Sequence, residues 1–260
     1  MITPLDKLAE SIGISARLLL GKVGGAGRFS GRILIAIPSA IAKFHLIVEQ
    51  MMLMGVTTIP VVLLTSVFVG TVSAWQVHYL FAGVIPATYI GSAVGKAVFT
   101  ELGPVLTALV VTGRVGAKLA AELGTMRVTE QLDAMVTLSL DPYLYLIAPR
   151  MAAGTMMMPV LTIFSAFFAI FSAQIFTQIT MGLHPSAFYY GLRLFFKVKD
   201  IEICLVKAFV FGAVIAICGC YFGFTARGGA VGVGEATKRA VVAAMVLILL
   251  SNLIVIKVLL

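Results

Sequence analysis

The chain alternates between long apolar stretches and short clusters of charge. No charged residue occurs in 50–95, in 151–192 or in 240–256. Apolar stretches longer than about 18 residues read as bilayer-crossing helices. Divided at their turn residues, they predict five spans: 51–80, 85–113 or beyond, 151–180, 201–225 and 240–260. Pro60 falls inside the first span, where a membrane helix tolerates it if neighbours satisfy the freed carbonyl. Trp75, His78, Tyr79 and Phe81 at the far end of that span form an interfacial aromatic belt. Residues 1–49 are mixed: Leu5, Leu8 and Ile12 share a helical face, and Arg17, Lys22, Arg28, Arg32 and Lys43 supply positive charge. That pattern predicts helices lying in the headgroup layer, broken at the glycines of 21–31. Pro4, Asp6 and Glu10 interrupt the start, so no cleavable signal peptide is expected. Residues 188–199, rich in Phe and Tyr with Arg193, Lys197 and Lys199, predict an amphipathic helix at the opposite interface. Residues 227–239 predict a glycine-rich loop leading into a helix.

The segment 101–142 is the exception to the alternation, because an apolar span runs directly into charge. Arg114, Lys118, Glu122, Arg127, Glu130, Asp133 and Asp141 follow with almost no linker. Val128, Leu132 and Met135 or Val136 recur at helical spacing, with Arg127, Glu130, Gln131 and Asp133 on the other sides. The segment therefore predicts one charged amphipathic helix, ended at Asp141-Pro142 because a residue before proline is pushed out of the α region. A solvated loop helix and a helix that docks into a groove on a partner both fit this pattern.

Composition agrees with the spans. Hydrophobic residues make up 60% of the chain and charged residues 12%, with a mean hydropathy of +1.08. A soluble domain carries about 25% charged residues. The class is an all-α integral membrane protein, read as a single unit over 1–260. The net charge of +8 follows membrane topology and not nucleic acid, since the basic residues sit at the ends of apolar stretches without interleaved stacking aromatics. Thirteen basic residues fall on the side of 1–49, 114–150 and 227–239, against three on the other side. The positive-inside rule thus puts the N-terminus and the charged segment in the cytoplasm. Cys204, Cys218 and Cys220 have neither metal-ligand spacing nor even pairing and read as small packing residues.

Glu101 is the most informative single residue. It lies within the second span, three residues before Pro104, which cannot donate to the carbonyl of Thr100. A carboxylate inside a bilayer faces a cavity or a partner; Lys96 and Arg114 are the nearby cations. Gly91-x3-Gly95 is a small-xxx-small spacing, which with Ala117, Ala121 and Gly124 predicts close packing on another helix, of this chain or of a second copy. Enzyme signatures are missing: His45, His78 and His184 are isolated, and neither a catalytic set nor a metal-ligand set is expected. Gly91-x3-Gly95-Lys96-Ala97 is one residue short of a phosphate loop and lacks the Ser/Thr after Lys, so no nucleotide site is expected in this chain.

The motifs E-L-G-P from Glu101, T-G-R-x-G-A from Thr112, A-E-L-G-x-M-R-x-T-E-Q-L-D-A-M from Ala121, and Asp141-Pro142 resemble the MlaE/YrbE permease family. The specific motifs cover about forty residues, and a weaker apolar pattern extends over most of the rest. The resemblance implies a bacterial inner-membrane, multi-pass permease of an ABC-type lipid transporter. It would form a homodimer and move phospholipid or a related lipid. Its partners would be a cytoplasmic ATPase that binds ATP and Mg, an MCE-domain periplasmic protein and, in some members, a STAS-domain protein. It implies a coupling helix over about 122–139, with Glu122, Arg127, Glu130, Gln131 and Asp133 meeting the ATPase. It also places the stretch around Glu101 and Pro104 near the lipid cavity, and likens Lys238-Arg239 to a basic pair that would anchor the last span or touch lipid. Family members often carry arginine before this glutamate. Here the residue is Thr100, and Lys96, one turn earlier, is the candidate replacement. The rival readings are an ATPase-independent secondary transporter or channel for an amphiphile, and an intramembrane lipid enzyme. No internal repeat is visible to favour the former.

Overall fold

The computed structural model describes residues 24–25, 27–29, 31–32, 43–81 and 86–259. The interfacial helices expected before residue 43 lie mostly outside the described residues. Among the described residues every regular element is helical, and five helices are long and apolar enough to cross a membrane. From residue 44 onward the helices are, in chain order, α1 (Phe44–Val56), α2 (Ile59–Phe81), α3 (Tyr89–Val128), α4 (Gln131–Thr137), α5 (Tyr143–Met181), α6 (Pro185–Phe195), α7 (Val198–Phe224) and α8 (Gly229–Leu259). The spans are α2, α3, α5, α7 and α8.

The short apolar helix α1 exposes Phe44, Met52, Leu53 and Val56, a face suited to lie along a membrane boundary. It turns at Thr57-Thr58 into α2. Pro60 therefore sits in the first turn of the first span and not inside it as expected, at a place where its missing N–H costs nothing. α7 is the central helix: 61% of its most apolar window is buried, against 22% for α2 and 11% for α8. Small residues let its neighbours approach. A Cβ on Gly212 would lie 2.8 Å from the carbonyl oxygen of Gly154 on α5, and one on Gly223 2.8 Å from that of Ala120 on α3. The α2–α5 contact is built the same way, with Gly70 against the backbone of Ala169 and the Ser66 and Ser165 hydroxyls bonded at 2.8 Å. In a bilayer, where lipid tails are as apolar as the helices, such close packing and interhelical bonds supply the association energy.

Several boundaries differ from the expectation. The charged segment is not one helix. Its first half, Ala117–Val128, continues α3 and packs in the bundle, and the chain breaks at Thr129-Glu130 with Glu130 in the left-handed region (φ 61°). α4 then runs only from Gln131 to Thr137. Asp141-Pro142 opens α5 instead of closing the charged helix: the Asp141 carboxylate accepts from the N–H of Tyr143 at 2.9 Å, and Pro142 takes the first helical position. The loop expected over 227–239 shrinks to its start. Only Gly228 and Gly229 have positive φ there, and α8 begins at Gly229. The close packing expected of Gly91 and Gly95 is met within this chain, by α6. A Cβ on Gly91 would lie 2.2 Å from the Phe188 carbonyl oxygen, and the Ser92 hydroxyl donates to the Gly191 carbonyl.

Gly91→Ala forces α6 off α3 and is expected to lower the melting temperature of the purified protein in detergent, an overpacking cost of about 1–3 kcal/mol. Gly113→Ala, at a helical position with nothing within 4 Å of the added carbon, is expected to leave it unchanged or raise it.

Candidate functional site

The site begins with a proline. Pro104 removes the N–H that would bond to the Thr100 carbonyl, and α3 widens into a π-helical turn over Val98–Leu102. A lysine from the central helix meets the exposed backbone. Lys207 Nζ donates to the Thr100 carbonyl at 2.6 Å and to Glu101 Oε1 at 2.6 Å. The second carboxylate oxygen, Oε2, accepts from Asn252 Nδ2 on α8 at 3.1 Å. One cluster thus ties together three spans. The Lys207 side chain is fully buried, while that of Glu101 is 39% exposed, so the carboxylate is reachable from one side. Asn252 Oδ1 is buried without a partner among the described residues and adds an acceptor beside it. The cluster is net neutral, and what it offers to an incoming group is acceptors.

The other residues singled out from the sequence do not converge on Glu101. Neither Lys96 nor Arg114 pairs with it; the cation is Lys207. Lys96 is exposed and lines an apolar cavity of about 420 Å³ with His78, Phe81, Tyr89 and Phe195, at the end of the bundle where α6 lies. Lys238 and Arg239 are at the other end of α8 from Asn252. Arg239 lies thirteen positions before Asn252, about 20 Å along the helix. Both are largely exposed and both bridge to Glu235, at 2.5 and 3.8 Å.

Toward the C-terminal end of α3, the half-buried Glu122 is paired from two sides. Its Oε2 lies 3.3 Å from Arg150 Nη2 on α5, and its Oε1 lies 3.7 Å from Lys118 Nζ. Arg150 is buried, and its Nε and Nη1 have no hydrogen-bond partner among the described residues. Across the break, Arg127 Nη1 bridges to Asp133 Oδ1 at 2.6 Å and fixes how α4 leaves α3. Glu130 and Gln131 are exposed at the corner. On α4, Leu132 is buried, while Val136 and, just past the helix end, Leu138 are 60% and 72% exposed. The apolar stripe expected over Val128, Leu132 and Val136 is therefore split between an anchor in the protein and a face left open.

Lys207, Asn252 and Arg150 were not chosen from the sequence. The available signal was a lysine two turns beyond the charged start of a 27-residue helix, inside its apolar part, which demands a partner but does not say which.

The sequence profile described as "Permease MlaE" matches residues 47–258. Relatives carry the name "Probable ABC transporter permease protein". One from Synechocystis sp. is 43% identical over 204 residues, covering 78% of each chain. One from Rickettsia bellii is 37% identical over 251 residues, 96% of this chain and 97% of its own. One from Porphyra purpurea is 37% identical over 195 residues, 75% and 74% of the two chains.

Lys207→Met leaves a charged Glu101 and an open Thr100 carbonyl in the bundle. Breaking one side of a fully buried pair costs about 3–5 kcal/mol, and the 39% exposure of the remaining carboxylate puts this case below that. The single variant is expected to melt well below wild type, and Lys207→Met with Glu101→Met to recover part of the loss. Equal melting temperatures for the single and double variants would show that the pair does not hold the bundle.

Proposed function

Because the chain belongs to the MlaE permease family, we propose that this permease subunit of an ABC transporter moves phospholipid or a related lipid between the bacterial inner membrane and an MCE-domain partner. In this reading two copies enclose the lipid path and a separate cytoplasmic ATPase, holding ATP and Mg, supplies the work. An MCE-domain protein on the far side exchanges the lipid, with a STAS-domain protein as a further partner of the ATPase. The reading takes its general class from the family and its lipid substrate from the resemblance of the motifs at Glu101 and Ala121.

The observation that carries the ATPase contact is the shape of the charged end. A break at Glu130, braced by Arg127–Asp133, sets α4 outside the bundle with Val136 and Leu138 uncovered. An apolar knob beside a fixed ion pair fits a groove on a partner protein. α4 is separated from the helix carrying Glu101 by a single corner, so force on α4 is delivered along α3. α8, mostly unburied, offers Val246, Leu250 and Leu253 as the face for a second copy.

Val136→Asp with Leu138→Asp is expected to abolish co-purification of the ATPase and ATP-driven lipid transfer in proteoliposomes, while melting of the permease stays unchanged. Lipid movement by the permease alone, without ATPase or ATP, would replace this reading with that of an ATPase-independent transporter.

A further inference from the structure

The cleft between α1 and the inner part of α3 is chemically different from the Glu101 cluster. It encloses about 160 Å³ and is walled by Gln50, Leu53 and Thr57 on one side and Arg114, Lys118 and Glu122 on the other. Arg114 is exposed and bridges to no carboxylate among the described residues. Lys118 reaches Glu122 only at 3.7 Å, beyond a direct hydrogen bond, and the other oxygen of Glu122 is engaged by Arg150. Among the described residues the cleft therefore keeps an excess of positive charge. The Thr57 hydroxyl proton is committed to the Leu53 carbonyl at 2.7 Å, so donors for a guest come from Arg114, Lys118 and the Gln50 amide.

Position argues for the guest. Arg114 lies thirteen residues beyond Glu101 along α3, about 20 Å away. The opposite wall is α1, whose exposed apolar face is that of a helix lying at the membrane boundary. A cationic wall facing the boundary helix α1, with the half-exposed Leu53 among its lining, matches a phosphodiester whose acyl chains run outward beside α1. We infer that this cleft seats the headgroup of an anionic phospholipid in the leaflet on the charged side of the protein. Its role as a waiting station for transported lipid rests on the proposed function; its occupancy does not.

The test uses the full-length permease, stripped of lipid in detergent and titrated with phosphatidylglycerol while bound lipid is counted by native mass spectrometry. Arg114→Gln with Lys118→Gln is expected to weaken the first binding step about tenfold or more. Arg114→Lys with Lys118→Arg is expected to retain it, and millimolar inorganic phosphate to leave it undisturbed. Retention of wild-type binding in the Gln pair, or displacement of the lipid by inorganic phosphate, would overturn the assignment. Should the Gln pair not fold, Thr57→Trp, which fills the cleft and keeps both charges, carries the same expectation. ATP-driven lipid transfer by the assembled transporter is measured in parallel. Transfer absent with cleft binding intact counts against the proposed function alone, and binding absent with transfer intact against the cleft alone.

Discussion

A lysine ammonium held without water contact inside an apolar bundle is the constraint around which the structure is arranged. An unpaired charge there is costly, so Lys207 must find both a counter-charge and acceptors within reach. It finds Glu101 and the Thr100 carbonyl, the one backbone acceptor that Pro104 has freed. The proline, the wide turn and the lysine are thus one device. The helix gives up a backbone bond, and the resulting acceptor completes the solvation of a buried cation. Asn252 brings the last span onto the same carboxylate. Helices α3, α7 and α8 are consequently fixed in rotation as well as in contact, which apolar packing alone would not achieve.

The α3 helix links two chemically distinct ends. Its outer part is wedged under α6 through Gly91 and Gly95, its middle carries Glu101, and its inner part is pinned by Glu122 to Arg150. Two π-helical turns, Val98–Leu102 and Thr112–Gly116, divide it. Wide turns of this kind concentrate where helices serve a function, because they re-aim side chains without ending the helix. Here one precedes the proline and presents Glu101, and the other carries Arg114 into the cleft beside α1. Beyond them the left-handed corner at Glu130 redirects the chain into α4, which keeps Leu132 buried and leaves Val136 and the adjoining Leu138 open at the place best suited to meet a partner.

The number and class of the spans were legible because bilayer thickness imposes a length and an apolarity that composition alone reveals. Glu101 was legible for the same reason, as a charge where charge is costly. Its partner was not. Lys96 and Arg114 are close in sequence, but five and thirteen residues along a helix put them on other faces and at other depths, whereas Lys207 arrives from two spans later. The break at Thr129-Glu130 was hidden because neither residue is a usual left-handed or breaking type. Gly124, the glycine nearby, serves packing against Val233 and Ala226 instead. The start of α8 was obscured by the opposite error. Gly232 and Gly234 suggested a loop, yet only Gly228 and Gly229 turn the chain, and Gly232 is small because a Cβ would meet the Arg227 carbonyl.

The Lys207–Glu101 pair also sets a timetable for biogenesis. The two residues are 106 positions apart, so at ribosomal speeds of about 5–20 residues per second the carboxylate emerges roughly 5–20 s before the ammonium. During that interval the acidic span sits in or beside the insertion machinery without its counterion. The lysine, by contrast, enters a membrane where its acceptor already waits. Nascent chains stalled between these two points are therefore the form most dependent on the translocon, or on an insertase, to shelter a lone charge from the lipid.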